Sequence, residues 1–482
     1  MSTERVVRVR RADEGVAAET LRAGVAAIQA EMEVTPEFPP EVEQAAARAA
    51  AEPRMPELDR TDLPFLTIDP PSSMDLDQAL HIAREGDGYV VHYAIADLAA
   101  FITPGDPVDV EANLRGETLY GADSKVPLHP KAISEDAGSL LPDQERPALL
   151  WTIKVDEVGE GTDVTVERAR VRSTARLDYA AAQQSIDDGT APEPLRLLRE
   201  VGKLRLAREA VRGGVSLPLP EQEVVVEGDR WSLEFRKLLP VEQWNAQISL
   251  LTGFAAASLM VYARVGLLRT LPEPDPRDVR RLHRTAKALG IEWPAEQLYP
   301  DFIRSLEPAR PAHAAMVAAC TRLLRGSGYV GFDGEVPAEP QHAALASEYA
   351  HVTAPLRRLG DRYAGEICVA LCAGVDVPDW VVAKLHELPR TLQASGQRAN
   401  RYERSILDLV EAGVLAHRVG DTFDAVVVEV DEADPTRGEL TVADPAIEAR
   451  VVSGSDLPLG RSVKVRLAEA DVRTRRVQFE LD

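Results

Sequence analysis

The pattern of apolar residues changes three times along the chain, and these changes constrain the fold more than any single motif does. Over residues 60–175, short apolar runs are separated by Pro and Gly, which is typical of short β-strands. From about residue 194 to residue 412, apolar residues recur mainly at helical spacing. One β-hairpin is predicted in this part, over residues 223–235 with its turn at Gly228 and Asp229. We therefore predict a mixed α+β body.

The two ends of the chain have patterns of their own. Near the N-terminus, a helical pattern is interrupted by Pro36, Pro39 and Pro40 and followed by an Ala-rich run, which predicts two short helices. After Gly420, five short strands are predicted, at 423–430, 438–442, 448–452, 462–467 and 473–479. Such a series of strands suits a small OB-type barrel. The expected domains are a helical N-terminal cap over residues 1–58, a body over 59–418 and the barrel over 419–482.

The charge of the chain narrows the range of functions. There are 55 Lys and Arg against 78 Asp and Glu, a formal net charge of −23. This argues against a protein that coats nucleic acid through bulk charge, because such binding depends on cations that neutralise phosphates. Basic residues are nevertheless concentrated along one predicted helix and in the barrel: Arg390, Arg398, Arg401 and Arg404, then Arg461, Lys464, Arg466, Arg473, Arg475 and Arg476. We interpret them as a local basic entrance, and the alternative is solvated surface with no ligand.

Cysteine usage and hydropathy indicate the compartment. The three cysteines, Cys320, Cys368 and Cys372, are too few and too unevenly placed for a disulfide scaffold, which favours reduced core residues in the cytoplasm. The first residues contain no apolar stretch long enough for a signal peptide. The most apolar segment, 248–263, is shorter than the roughly 20 residues that a bilayer requires. We expect a buried helix there, no membrane association, and a monomer.

The strongest local signal is the segment TIDPPSSMDLDQA at 67–79. It places Asp69, Asp75 and Asp77 in one Pro-rich loop after an apolar strand. Carboxylates held close together oppose one another's ionisation, so such a cluster favours a divalent cation that neutralises it. Hard oxygen ligands without nearby Cys or His suit Mg²⁺ or Mn²⁺. The alternative is a solvated acidic turn.

A second signal is the segment YAHVTAPLRRLGD at 349–361. Pro355 is favourable at a first helical position, so a helix is predicted to begin there with Arg357 and Arg358 in its first turn. A guanidinium in that position can bind a phosphate with two hydrogen bonds, reinforced by the helix dipole. The alternative is ordinary surface charge paired with Asp361.

Further short motifs follow in order along the chain: HYAIAD at 92–97, RGETLY at 115–120, PLHP at 127–130, SLLP at 139–142, VEQ at 241–243 and RYER at 401–404. Together with the acidic and arginine segments, they make the chain resemble the ribonuclease II and ribonuclease R family of exoribonucleases, whose catalytic domain is called RNB. The resemblance covers roughly residues 59–415. The terminal barrel is similar to the RNA-binding OB domain that these enzymes carry.

The resemblance implies Mg²⁺-dependent, processive hydrolysis of single-stranded RNA from its 3′ end, with release of 5′-mononucleotides. On this basis the acidic segment holds the metal and positions water, and Arg357 grips phosphate. Tyr120 is expected to stack on the terminal bases, a contact that does not depend on sequence. The residues expected to line or approach the RNA path are Glu242, Arg358, Arg401, Glu403 and Arg404.

Three departures from the family pattern are expected to matter. Gln78 stands where the family has a fourth aspartate among its metal ligands; its amide oxygen can still coordinate, but the site loses a negative charge. Ala354 replaces a serine, and Leu217 stands near the place of a second stacking aromatic ring. Two other functions therefore stay open. One is a catalytically silent RNA-binding protein, and the other is a Mg²⁺-dependent phosphodiesterase that acts on other nucleic acids.

Overall fold

The computed structural model of the chain describes residues 18–219, 221–227 and 230–481. Along these residues, one closed five-stranded barrel precedes a largely helical region, and a second closed five-stranded barrel follows it. The α+β fold predicted from the sequence is confirmed. The predicted turn residues Gly228 and Asp229 lie outside the described residues, whereas the strands on either side of them do pair as a hairpin.

The helices of the described residues are α1 (Ala18–Glu31), α2 (Pro40–Ala51), α3 (Pro107–Arg115), α4 (Tyr179–Asp187), α5 (Glu193–Arg212), α6 (Pro240–Ala263), α7 (Pro276–Ala288), α8 (Tyr299–Arg304), α9 (Pro311–Cys320), α10 (Leu359–Ala373), α11 (Asp379–Val382) and α12 (Leu388–Leu415). The strands of the first barrel region are β1 (Phe65–Ile68), β2 (Gln78–Glu85), β3 (Gly88–Ala96), β4 (Leu119–Tyr120), β5 (Lys125–Val126), β6 (Glu145–Val155) and β7 (Gly161–Leu177). The strands of the middle region are β8 (Glu221–Glu227), β9 (Arg230–Arg236), β10 (Val265–Thr270), β11 (Gly328–Asp333), β12 (Gln341–His342) and β13 (Ser347–Glu348). The strands of the second barrel are β14 (Thr422–Val430), β15 (Arg437–Val442), β16 (Ile447–Ser453), β17 (Ser462–Asp471) and β18 (Arg476–Leu481).

The first barrel follows the chain in its strand order, β1-β2-β3-β6-β7, and closes by parallel pairing of β1 with β7. Strand β1 is buried on both faces and β6 is so over most of its length, whereas β7 alternates buried residues with exposed or half-buried ones. One set of side chains, including Ile82 and Ile153, packs in a cluster with α5, α6 and α10. The other set, including Ala94 and Leu150, forms a separate cluster among the strands. The barrel is therefore covered by helices, and its loops are held between them.

Helix α6 is the core helix predicted from the most apolar segment, and it extends further toward the N-terminus than that segment does. Val241, Ile248 and Met260 along it are fully buried. By length and composition alone this helix could span a membrane, but half of its most apolar window is buried within the described structure. A core helix meets the same criterion.

The two N-terminal helices pack against different parts of the protein. Helix α1 places Leu21 and Ile28 in a core with α12 and the second barrel. Helix α2 places Val42 and Ala46 in a smaller core with Phe101 and the segment that follows β3. Among the described residues of the predicted cap, these helices thus contribute to two separate cores.

The second barrel has the strand order β14-β15-β16-β18-β17, in which the third strand pairs in parallel with the fifth. All five strands predicted after Gly420 are present, with ends that differ by a few residues. Alternating residues such as Val427, Leu440 and Phe479 are buried inside it. Its core is continuous with that of α12, since Ile406 belongs to the same cluster. The OB-type barrel is therefore confirmed, and it is packed onto the body.

Candidate active site

The loop between β1 and β2 carries the three aspartates and is held by strand β7. At the start of the loop, the Asp69 amide donates to the carbonyl of Leu177, 3.0 Å away. In its middle, the Arg176 guanidinium donates to the carbonyls of Pro71 and Ser73, at 2.7 and 2.6 Å. Because β7 lies next to β1 in the closed barrel, barrel closure itself fixes the backbone of this acidic loop.

Asp77 is the most buried of the three aspartates, with only 5% of its surface exposed. Its Oδ1 accepts from the Leu356 amide at 2.8 Å, and its Oδ2 lies 3.5 Å from Nε of Arg357. Burial raises the pKa of the Asp77 carboxyl to about 8, although Arg357 and the amide act in the opposite direction. The carboxylate form of Asp77 therefore depends on positive charge in its surroundings.

Asp75 is joined to a lysine that no sequence motif singles out. Lys125 Nζ lies 3.0 Å from Asp75 Oδ1 and 3.0 Å from Glu135 Oε1. Burial alone would lower the pKa of this ammonium, but Asp75 and Glu135 raise it above its ordinary value, so Lys125 stays charged. Lys125 is also the cross-strand partner of Tyr120 in the β4–β5 ribbon. It thus links the acidic loop to the strand that carries the predicted stacking residue.

Gln78, which the family pattern placed among the metal ligands, lines the cavity, and its amide has partners within the protein. It is the first residue of β2, and strand alternation turns it to the same face as Leu80, which lies in the core shared with the helices. Its Nε2 donates to the Thr353 carbonyl at 2.7 Å. Its Oε1 accepts from the Tyr93 hydroxyl and, at 3.3 Å, from the Ser249 hydroxyl. Both ends of the amide are thus engaged within the protein, and a role of Gln78 as a metal ligand stays a prediction.

The prediction of a helix that begins at Pro355 is wrong, because α10 begins at Leu359 and both arginines precede it. The backbone here pairs instead with the segment before β4. The Thr118 amide donates to the Arg357 carbonyl at 3.0 Å, and the Leu359 amide donates to the Gly116 carbonyl at 3.0 Å. Arg358 accordingly has an extended backbone, with φ −132° and ψ 120°. Strand-like pairing, rather than a helix dipole, positions these guanidinium groups.

The two arginines have different carboxylate partners. Arg357 lies beside Asp77, whereas Arg358 Nη2 binds Asp361 Oδ2 at 2.7 Å. The alternative from the sequence is that both arginines are surface charge paired with Asp361, and of this only the Arg358–Asp361 pairing is present among the described residues. It does not remove Arg358 from the site, since both arginines line the same cavity.

An open cavity of about 390 Å³ lies beside the acidic loop. It brings together residues from β1, the β4–β5 ribbon, the turn before α10, and α12, which are far apart in the sequence. The predicted residues that line it are Asp69, Asp75, Asp77, Gln78, Tyr120, Arg357, Arg358 and Glu403. The arrangement combines carboxylates, guanidinium groups and an aromatic ring around one space, as a phosphodiester substrate would require.

Three predicted residues do not line this cavity. Glu242 caps α6 and holds Arg236 with two hydrogen bonds, at 2.7 and 2.9 Å. Arg401 is 64% exposed, and its guanidinium lies 3.7 Å from Glu31 of α1. Arg404 pairs with an aspartate one turn further along α12. Their contacts with RNA stay predictions; Glu242 is buried, and Arg401 and Arg404 lie outside the cavity.

The cavity also contains residues that sequence reasoning did not select. Tyr179, at the start of α4, and Asn245, on α6, line it, as do Arg269 and Tyr329 on the β10–β11 ribbon. None of them stands in a local pattern that points to chemistry. Leu217, by contrast, packs against the core of α7, α8 and α9 and does not line the cavity. Long-range packing, rather than local spacing, assembles this wall.

Several basic residues of the second barrel form ion pairs with acidic side chains. Lys464 pairs with Asp424 at 2.8 Å, and Arg466 pairs with Glu480. Arg475 binds Glu31 of α1 at 2.7 Å. These acids partly neutralise the predicted basic entrance. Exposed pairs of this kind are worth little, about 0 to 1 kcal/mol, and can exchange for phosphates.

The donor chemistry of the acidic loop fits Mg²⁺ or Mn²⁺, because its carboxylate oxygens are the ligands that these ions prefer. In the described residues, however, no group of three or more His, Cys, Asp or Glu side chains is gathered closely enough to hold a metal. Asp75 is paired with Lys125, which holds its carboxylate in an ion pair. Asp69 and Asp77 are the carboxylates best suited to a cation in the cavity.

Two known protein domains match the chain. The chain matches the RNB domain over residues 58–372 and the RNase II-type exonuclease C-terminal S1 domain over residues 421–482. Ribonuclease R of Aquifex aeolicus is 27% identical over 455 residues, which cover 86% of this chain and 63% of that protein. The chain spans 63% of the length of the Aquifex aeolicus protein and only 35% of the length of another curated relative.

Two solved structures show the fold. Mycoplasma genitalium RNase R in complex with ribose methylated single-stranded RNA has a TM-score of 0.85 at 19% identity, covering 96% of this chain and 78% of that chain. Yeast Ssd1, a pseudonuclease, has a TM-score of 0.70 at 15% identity, covering 94% of this chain and 57% of that chain. Because the RNB match extends over well more than half of its residues, the protein belongs to the RNB-domain family and carries the C-terminal S1 domain of RNase II-type exonucleases.

Proposed function

We propose that the protein is a Mg²⁺-dependent exoribonuclease that degrades single-stranded RNA processively from its 3′ end to 5′-mononucleotides. The observation that carries this proposal is the cavity in which the acidic loop faces Arg357 and Tyr120. Carboxylates and a guanidinium are the groups that phosphodiester hydrolysis requires. An aromatic ring in the same cavity provides a stacking surface for a base.

In this proposal, the walls of the cavity have separate tasks. Tyr120 stacks on a terminal base, and Arg358 and Glu403 contact the strand beside it. Such contacts do not distinguish among bases, because every base presents an aromatic face. An enzyme that must advance along any RNA benefits from this tolerance. Arg401 and Arg404 guide the strand outside the cavity.

The chemical step is assigned to the loop and the turn that faces it. Arg357 neutralises charge on the scissile phosphate. Its Nε lies 3.5 Å from Asp77 Oδ2, so the guanidinium and the carboxylate can act on the same phosphate. Asp69 and Asp77 would hold a divalent cation, which when bound would supply Lewis-acid stabilisation of the charge that develops on the phosphate. Asp77 orients the attacking water, and Asp75 is held in place by Lys125.

A catalytically silent RNA-binding protein is the second candidate, and a specific observation favours it. The amide of Gln78 is engaged with Thr353 and Tyr93 where a fourth metal-binding carboxylate was expected. Yeast Ssd1, which shares this fold, is a pseudonuclease. The silent protein would bind RNA in the cavity and release no nucleotide.

Digestion of a 5′-labelled single-stranded RNA with and without Mg²⁺, followed by separation of the products, tests the proposal. We expect shortening from the 3′ end and release of 5′-mononucleotides only when Mg²⁺ is present. A matched deoxyribo-oligomer should survive, and its equal degradation would favour a general phosphodiesterase. Tight RNA binding without any product, with Mg²⁺ or with Mn²⁺, would favour the silent protein.

A further inference from the structure

The cavity wall formed by β10 and β11 presents an arginine that is held in a fixed position. Arg269 and Tyr329 are cross-strand partners on this ribbon, and the Arg269 guanidinium lies 4.6 Å from the centre of the Tyr329 ring. Its Nη2 donates to the Ser327 hydroxyl at 3.0 Å, and its Nη1 lies 3.4 Å from the Gly328 carbonyl that it contacts. Stacking and hydrogen bonding thus preorganise the guanidinium at the edge of the cavity.

The ring beneath Arg269 is itself anchored. The Tyr329 hydroxyl and Nδ1 of His351 lie 2.9 Å apart in a hydrogen bond. Burial lowers the pKa of His351 well below its ordinary value, so the imidazole is neutral and its Nδ1 can accept from the hydroxyl. His351 belongs to the segment that leads to the two arginines before α10. The stacked pair is therefore built into the framework of the site.

Among the described residues, Arg269 is not in an ion pair with a carboxylate, whereas the two other arginines of the cavity are. Arg357 lies beside Asp77, and Arg358 binds Asp361. In the part of the chain that the structure describes, Arg269 contacts only a hydroxyl, a carbonyl and an aromatic ring through its side chain. A guanidinium has five N–H donors, so donors remain that can face the cavity. Together these features describe a place for an anion.

We propose that Arg269 binds a phosphate of the RNA strand inside the cavity. This inference rests on the proposed function and extends it, because Arg269 belongs to the β10–β11 wall of the cavity, whereas Arg357 is the arginine that lies beside Asp77. Arg269 is therefore a positioning residue that sets the register of the strand.

The test measures RNA binding without turnover, in Mg²⁺-free buffer and in an Asp77→Asn background. Affinity for a single-stranded RNA is determined over a range of salt concentrations for this parent and for Arg269→Met and Arg269→Lys. Arg48→Met on α2 serves as the matched control, since Arg48 is exposed and does not line the cavity. Thermal unfolding of each protein verifies that the fold is retained.

Loss of one phosphate contact should reduce the steepness of log K against log salt by about 0.7 for a single strand. We expect this change and a roughly tenfold weaker affinity in Arg269→Met, because a charge-assisted hydrogen bond is removed. Arg269→Lys should keep the slope, and Arg48→Met should keep both slope and affinity. An unchanged slope in Arg269→Met, or an equal loss in Arg269→Lys, would overturn the inference. A parent that binds no RNA at any salt concentration would instead overturn the proposed function and this inference with it.

Discussion

The two barrels of this protein contain the same number of strands but differ in how they close. The first closes by pairing its first strand with its last, so the loop that leaves β1 lies against the end of β7. The second closes through a parallel pairing of β16 with β18, as OB-type barrels do, and its basic side chains are in exposed ion pairs. Barrel closure fixes the acidic loop of the first barrel, so that this loop can keep a carboxylate buried. The exposed ion pairs of the second barrel can exchange their acidic partners for other anions. This difference favours the first barrel as the place of the proposed chemistry, with the second barrel adding RNA contacts to those of the cavity.

The largest loss of stability should come from emptying the core of each barrel. Leu150 and Leu467 are both fully buried, so each Leu→Ala change should cost about 2 to 5 kcal/mol of unfolding free energy. Leu150→Ala should also lower kcat, because the acidic loop depends on the first barrel. Leu467→Ala should raise KM and leave kcat within about twofold. Denaturant unfolding and steady-state kinetics measure both effects, and a lower kcat only in Leu467→Ala would reverse the assignment.

A smaller effect is expected at the seam between the second barrel and the body. Glu411 on α12 is 3% exposed and accepts from Gln222 Nε2 on β8 at 2.7 Å and from the Glu448 amide on β16 at 3.1 Å. Burial raises its pKa from 4.5 to about 7. The folded protein therefore retains a proton that the unfolded chain releases, and the stability linked to this proton is lost as the pH rises from about 4.5 through about 7.

The variant Glu411→Gln removes this loss. Relative to it, the parent should become less stable by up to about 3 kcal/mol between pH 4.5 and pH 8. Denaturant unfolding at several pH values measures the difference, with the exposed barrel variant Glu439→Gln as control. A parent that gains stability relative to Glu411→Gln as the pH rises would show that Glu411 is ionised in the folded protein.

Stacking of Tyr120 on RNA should have a smaller effect, about 1 to 3 kcal/mol of binding free energy per base. We expect Tyr120→Ala to weaken RNA binding by one to two orders of magnitude and to do so equally for purine and pyrimidine oligomers. Tyr262→Ala is the matched control, because Tyr262 is 92% exposed on α6. Equal losses in the two variants, measured by equilibrium binding, would show that Tyr120 has no special contact with RNA.

Gln78→Asp should have the mildest consequences. The change removes the amide that donates to Thr353 and brings a carboxylate next to Tyr93, so it should cost about 1 kcal/mol of stability. It should leave the Mg²⁺ concentration for half-maximal activity unchanged, because the side chain at this position is directed to Thr353, Tyr93 and Ser249. Titration of activity against Mg²⁺ measures this. A clearly lower requirement would show that residue 78 can reach the metal, as the family pattern suggested.

The sequence predicted the features that depend on local pattern. The alternation of apolar residues such as Val427 and Leu440 is enough to predict the strands of the second barrel, because strand faces repeat every two residues. The acidic loop after β1 was found for a similar reason, since its three aspartates lie within one short segment. The residues that line the cavity could be selected only where they stand in such segments.

The features that sequence reasoning missed depend on partners that are far away along the chain. The helix predicted at Pro355 does not form there because residues 116–118 pair with the same backbone. The orientation of Gln78 depends on Thr353 and Ser249, and Asp75 depends on Lys125. No local spacing encodes these contacts.

Hydrolysis and RNA binding by Asp77→Asn, measured side by side with the parent protein, decide whether the acidic loop carries the chemistry. We expect hydrolysis of a labelled single-stranded RNA to fall by at least a thousandfold, because the loss of one key catalytic group typically removes several orders of magnitude. RNA affinity should stay within a few-fold, since Tyr120, Arg358 and the second barrel provide the binding. A variant that still degrades RNA at a tenth of the parent rate or faster would contradict the assignment of chemistry to the acidic loop of the first barrel.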